Sequence, residues 1–146
     1  MIGLVQRVAH ARVDVAGATV GAIGPGLLVF VCAEPDDGAD QVLRFVAKLL
    51  KLRIFGDAQG RMNLSVQDVA GGLLIVSQFT LAADTASGNR PGFSGAAPPA
   101  HGRAIYEAVL AEARARHPVV ERGEFGAEMK VHLLNDGPVT IPLRIQ

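Results

Sequence analysis

The chain has 146 residues, 49% of them apolar, with 14 acidic and 14 basic residues for a net charge of zero. A core of useful size is affordable within one domain spanning residues 1–146, and disorder is excluded. The charge balance argues against DNA or any polyanion held by bulk charge, although a neutral chain can still carry a basic face.

No apolar run reaches the ~18 residues of a membrane span. The opening "MIGLVQRVAH" lacks the basic start and cleavage site of a secretion signal. A cytoplasmic protein with no membrane partner is expected. Cys32 is the only cysteine, so no internal disulfide forms, and no Cys/His cluster suggests a metal. Its setting in "GLLVFVCAE" reads as an inert core thiol on a buried strand.

In chain order, "IGLVQRVAHARVDVAG" and "ATVGAIGPGLLVFVCAE" are β-branched and alternating. They predict a meander of about three strands with a turn at Gly24-Pro25-Gly26. A helix follows. Asp36, Asp37 and Asp40 suit its N-terminus, and Val42, Phe45, Val46, Leu49 and Leu50 form one apolar stripe. The same segment carries Arg44, Lys48, Lys51 and Arg53, a basic run that reads first as a solvated face. "GDAQGRMNLSVQDVAGG" is turn-rich, and "GGLLIVSQFTLAA" is an apolar strand ending in polar groups. "DTASGNRPGFSGAAPP" has no periodicity, as functional loops often do not.

A second helix begins near Pro98-Pro99 and ends before Pro118. Tyr106, Val109, Leu110 and Ala113 should face inward, and Arg103, Glu107 and Arg114 outward. "GEFGAEMKVHLLNDGPVTIPLRIQ" then supplies two last strands on either side of a turn at Asn135–Pro138. In the first of them Met129, Val131 and Leu133 share one face, and Lys130 and His132 the other. Pro142 suggests an edge strand. The order lacks regular βαβα alternation, so a mixed or mostly antiparallel sheet with two packed helices is expected.

Side-chain catalysis finds little support. Ser77 and Thr80 in "SQFT" are the best nucleophiles, but none of His10, His101, His117 and His132 sits in a partner motif. No nucleophile elbow or phosphate-binding glycine loop occurs. A backbone site remains. Amides at the end of the "SQFTL" strand could form an oxyanion hole. The carbonyls of Gly137 and Pro138 could hold an ammonium group.

Six ordered blocks resemble the D-aminoacyl-tRNA deacylases: "IGLVQRV" at 2–8, "RIFGDAQGRMNLSV" at 53–66, "SQFTL" at 77–81, "NRPGF" at 89–93, "GEFGAEMKVHL" at 123–133 and "NDGPVT" at 135–140. They span nearly the whole chain. The resemblance implies an α/β fold with a mixed, largely antiparallel sheet or partial barrel and two packed helices. It implies a homodimer that hydrolyses the ester between a D-amino acid and the 3′ end of tRNA, and removes glycine from mischarged alanine tRNA. It needs no cofactor.

The resemblance also implies roles for residues. Gly137-Pro138 would be a cis pair inserted into the partner subunit's pocket, where it excludes L side chains, with Arg7 bracing its loop. Ser77, Gln78, Phe79 and Thr80 would form the pocket floor, with amides near Gln78 and Phe79 holding the carbonyl oxygen. Phe125 and Met129 would line it. Thr80 either attacks or orients. With no evident base, orientation is preferred, with the 2′-hydroxyl of the terminal adenosine assisting a water. Three departures stand out: Gly92 in place of the usual Ser, Cys32 in place of a common Gly, and the tail "PLRIQ". The competing readings are an esterase using Ser77 or Thr80 as a true nucleophile, a non-catalytic RNA-binding module using the basic stretch 44–53, and a purely structural dimer.

Overall fold

A computed structural model describes residues Met1–Gln146. The three strands expected at the start form one long hairpin. Strand β1 (Ile2–Val15) turns at Ala16-Gly17 into β2 (Ala18–Ile23) and β3 (Gly26–Cys32). Both pair antiparallel to β1, with Ile23 opposite Ala11 and Gly26 opposite Val8. The pairing therefore keeps one register across Gly24-Pro25. That stretch is a kink in a continuous arm and not the chain reversal expected of a meander. A proline there costs a ladder bond without redirecting the chain, as at a bulge.

Helix α1 (Ala39–Lys51) buries Val42, Phe45, Val46, Leu49 and Leu50, the whole expected stripe. Each such side chain contributes about 1.5–3 kcal/mol by burial. Asp40 lies in its first turn as expected, but the cap itself is not an aspartate. Gly38 is the cap residue, its amide bonded by the Gln41 side chain at 2.9 Å. Asp37 instead turns inward, 2.9 Å from the Met1 ammonium and 2.7 Å from the Glu34 amide. A buried carboxylate needs such partners, and a solvent-facing cap would not supply them. Of the basic run, Arg44 pairs with Asp40 and Arg53 bonds Asn63, and all four side chains lie on an exposed face.

The turn-rich segment holds a small two-stranded sheet, β4 (Phe55–Gly56) and β5 (Met62–Leu64), which its Gly and Asp content hid. Strand β6 (Gly72–Ser77) is buried almost throughout and runs parallel to β3. It ends at Ser77, and Phe79–Ala82 coil into one 3₁₀ turn instead of continuing the strand. Helix α2 (Pro99–Arg116) buries Ile105, Tyr106, Val109, Leu110 and Ala113, with Arg103, Glu107 and Arg114 exposed as expected. A short strand β7 (Val120–Arg122), which the sequence did not disclose, lies parallel beside β6.

Strand β8 (Lys130–Arg144) pairs only with β1, antiparallel and along nearly its full length. Pro142 is therefore on an edge strand, as anticipated. Met129, Val131 and Leu133 pack on the second apolar cluster, while Lys130 and His132 are exposed. The expected turn at Asn135–Pro138 does not reverse the chain. Val8 faces Asn135 and Gln6 faces Thr140, so four residues, 136–139, bulge out opposite Arg7 alone.

The sheet is mixed, chiefly antiparallel around β1 and parallel from β3 to β7. It curls until β2 meets β7. At Gly21 an added Cβ would sit 2.2 Å from the Arg122 carbonyl oxygen, so only glycine permits this near-closure of the barrel. Both helices cover one face, over the larger of two apolar clusters.

Candidate active site

The ends of β3 and β6, the start of α2 and the segment 125–131 enclose a cleft of about 620 Å³. Ser77, Gln78, Phe79, Phe125 and Met129 line it, together with Cys32, Phe93 and Tyr106. The sequence pointed to the first five. Phe93 and Tyr106 it did not place there. Phe93 meets Phe79 edge-on, ring centroids 5.1 Å apart, which holds the "NRPGF" loop against the 3₁₀ turn. Phe79 is nonetheless 57% exposed, unusual for so large an apolar side chain outside a binding surface.

The 3₁₀ turn explains the local chemistry. The Gln78 amide donates to the Val31 carbonyl at 2.8 Å, so it extends the β3–β6 ladder and is not free. This corrects the expectation that it would help hold an oxygen. The next two amides, Phe79 and Thr80, open a helical turn, where N–H groups have no intrahelical acceptor. These two, and not Gln78, are the amides that the turn leaves without an acceptor. The Thr80 hydroxyl accepts from the Gln78 side-chain amide at 2.5 Å. Thr80 itself does not line the cleft.

No histidine serves either hydroxyl. His101 bonds the Asp37 carbonyl, His117 the Gly71 carbonyl, and His132 approaches Asp14 at 3.2 Å. His10 lies exposed on β1. No group of three or more His, Cys, Asp or Glu side chains is gathered as metal ligands.

Cys32 is buried, as its strand setting suggested, yet its sulfur reaches the cleft wall 3.5 Å from the Phe79 carbonyl oxygen. Burial, and then the charge of Glu34, push its thiol above the ordinary value, so it stays protonated and unreactive. Tyr106 is fixed by its hydroxyl, which donates to the Ile75 carbonyl on β6 at 2.7 Å. Burial is the main cause that raises its phenol from 10.0 to about 12. The folded state therefore holds this proton more tightly, and stability is full below pH 10 and declines as pH rises toward 12. Tyr106 is the only tyrosine, and there is no tryptophan, so phenolate absorbance reports it alone. The expected titration of the native protein shows no phenolate at pH 10.0, and a midpoint there would remove the buried bond.

The Gly137-Pro138 peptide is cis, at the tip of the β8 bulge, and both residues are exposed. Arg7 fastens the bulge from opposite. Its guanidinium donates to the Asp136 carbonyl at 3.0 Å and the Ile54 carbonyl at 2.7 Å, and lies 3.5 Å from the Asp136 carboxylate. The Asn135 side-chain amide closes the neck, donating to the carbonyls of Arg7 at 2.9 Å and Val139 at 3.0 Å. These bonds satisfy backbone groups that the bulge removes from the ladder. None of Arg7, Gly137 and Pro138 lines the cleft of the same chain. The fold thus brings Ser77, Gln78 and Phe79 together with Phe125 and Met129, and holds Thr80 and the Gly-Pro loop outside that lining.

With this geometry in hand, comparison with known proteins decides the family. Residues 4–144 match the model of the family described as D-Tyr-tRNA(Tyr) deacylase. The chain belongs to the D-aminoacyl-tRNA deacylase family. A D-aminoacyl-tRNA deacylase of Aromatoleum aromaticum is 68% identical, covering 99% of this chain and 95% of that protein. One from Paracidovorax citrulli is 65% identical, covering 99% and 94%. Among solved structures, one titled c-Myc DNA Unwinding Element Binding Protein superposes with a TM-score of 0.96 at 38% identity, covering 100% of this chain and 99% of that one. A probable eukaryotic D-amino acid tRNA deacylase gives 0.83 at 19% identity, covering 99% and 98%, and shows the shared fold. Family members are hydrolases of ester bonds.

Proposed function

We propose that this deacylase hydrolyses the ester joining a D-amino acid, or glycine, to the 3′ end of tRNA, within a homodimer whose active sites span both subunits. The observation that carries the reading is the separation just described. The cleft holds donors for a carbonyl oxygen but nothing to grip an α-ammonium group, and the exposed Gly137-Pro138 loop offers carbonyls but does not line that cleft in its own chain. A second copy completes each with the other. Leu134, next to the loop on edge strand β8, is 53% exposed and suits a subunit contact.

In this arrangement the ester carbonyl points at the Phe79 and Thr80 amides. Negative charge developing on its oxygen is met by donors already in position, an effect that one donor commonly supplies at about 10²–10³-fold in rate. The partner's Gly137 and Pro138 carbonyls accept from the α-ammonium. An L-amino acid held the same way would drive its side chain into that backbone. Glycine has no side chain to reject. Phe125 and Met129 face the substrate across the cleft, and Arg7 keeps the loop rigid.

Thr80 orients and does not attack. Its hydroxyl has only the Gln78 side-chain amide for company, with no base to take its proton. The attacking water is then activated by the 2′-hydroxyl of the terminal ribose, a group only an RNA substrate brings. An esterase with a true Ser77 or Thr80 nucleophile would lose turnover in Thr80→Val or Ser77→Ala with tRNA affinity intact. A non-catalytic RNA-binding module would bind tRNA without hydrolysis.

The decisive experiment is release of amino acid from D-tyrosyl-tRNA and L-tyrosyl-tRNA side by side. Hydrolysis of D alone is expected. Hydrolysis of both would keep the chemistry and remove the backbone gate. Hydrolysis of neither would remove the enzyme.

A further inference from the structure

None of the residues lining the cleft carries a formal charge. A polyanionic substrate whose end enters it must therefore find its counter-charges at the rim. Two cations are direct chain neighbours of lining residues: Lys130, between Met129 and Val131, and Arg103, after Gly102. Lys130 faces the Glu128 carboxylate at 3.7 Å. Arg103 makes no ion pair. Glu107, the acid one helical turn on, is directed to Arg122 at 3.7 Å instead.

Arg103 is also held in place. Its guanidinium carbon stands 4.7 Å from the centre of the Phe125 ring, in cation–π range. Phe125 in turn lies against Tyr106, ring centroids 6.0 Å apart, and Tyr106 is tied to β6. A stacked guanidinium uses its face on the ring and leaves its edge N–H donors outward, the geometry suited to a bidentate phosphate contact. Arg103 is exposed on the first turns of α2, so those donors meet solvent.

We propose that Arg103 binds a phosphodiester of the substrate's 3′ terminal nucleotides, using Phe125 as its platform. This deepens the deacylase reading and rests on it. Arg103 is a substrate-positioning residue: it fixes the incoming strand at the rim while the reacting ester lies deeper, between Phe125 and the 3₁₀ turn. Glu124, the residue before Phe125, is exposed and sets a limit on how closely the strand can run past the ring.

The test compares two substrates on wild type, Arg103→Gln and Arg103→Lys. One is D-tyrosyl-tRNA. The other is D-tyrosyl-adenosine, which carries the same ester and ribose but no phosphodiester. In Arg103→Gln the ratio of kcat/KM between tRNA and adenosine substrates is expected to fall roughly tenfold, through KM, as loss of one charge-assisted contact implies. The dependence of log KM on log salt should flatten by about 0.7, the value for one single-strand phosphate. Arg103→Lys, which keeps the charge but not the planar stack, should fall between. No loss on either substrate, or equal losses on both, would overturn the phosphate contact, the second by showing that Arg103 acts only through the cleft wall. Failure of the underlying reading looks different: the wild-type protein would then release tyrosine from neither substrate.

Discussion

Gly137→Ala is expected to lower kcat/KM for D-tyrosyl-tRNA by about 10²-fold or more, the scale set by misplacing a positioning group by an ångström. Gly137 has φ +134°, where an L side chain is strained. An added Cβ would also lie 2.8 Å from Val139 Cγ2, and 3.0 Å from both the Val139 nitrogen and Arg7 Nη2. The Val139 contact includes backbone, and Val139 is buried, so it cannot yield cheaply. The loop must shift, and with it the carbonyls assigned to the α-ammonium. The Arg7 bonds to Asp136 and Ile54 lie against the same clash and weaken together. Yet the loop tip is exposed and contributes little burial, so the cost in stability should stay at about 1–2 kcal/mol. Kinetics on D- and L-tyrosyl-tRNA, with thermal midpoints alongside, separate the two effects. Full activity would remove the loop from the site, and a collapse of the midpoint would make the loss one of folding.

The helices and the apolar strands were legible in the sequence because their burial is periodic. Val42 to Leu50 and Tyr106 to Ala113 each mark a single face, and one face is all that a helix on a sheet needs. The curl of the sheet was not legible. It depends on Gly21 meeting the Arg122 backbone, a contact between residues about a hundred positions apart in the chain, and on a three-residue strand, β7, too short to show a period. Gly24-Pro25 and Asn135–Pro138 look like reversals in the sequence for the same reason. Turn-forming residues specify local backbone shape, while whether the chain reverses or bulges is decided by the register with β1 on both sides.

The site divides in the same way. "SQFT" and "NDGPVT" were recognisable as motifs, and the structure puts Ser77, Gln78 and Phe79 in the cleft. Which amides are left free is not visible in the sequence. That depended on where β6 stops pairing, and the Gln78 amide still reaches Val31. Cys32 looked like an ordinary core thiol because burial and cleft lining coincide at the end of β3. Tyr106 looked like one more inward residue of α2, and only its bond to Ile75 shows that it joins the cleft wall to the strand carrying "SQFT". In each case the missing information was which tertiary partner a polar group finds, and a one-dimensional pattern does not encode that.

Mixing two inactive variants is expected to restore activity. Phe79→Pro removes one amide donor at the first position of the 3₁₀ turn, where proline is tolerated. The expected loss in kcat is about 10²–10³-fold. Gly137→Ala disables the loop and leaves the cleft of its own chain intact. If each site joins one subunit's cleft to the other's loop, a mixed dimer contains one site with both lesions and one with neither. After the two variants are unfolded together and refolded in equal amounts, half of the dimers are mixed and half of their sites are whole. Activity should then return to about one quarter of wild type, starting from nearly none. If instead each loop served its own cleft, every site in every dimer would keep one lesion, and mixing would restore nothing. The separation of Gly137 and Pro138 from the cleft of their own chain favours recovery. The result also tests the dimer, because a monomeric enzyme could not complement at any mixing ratio.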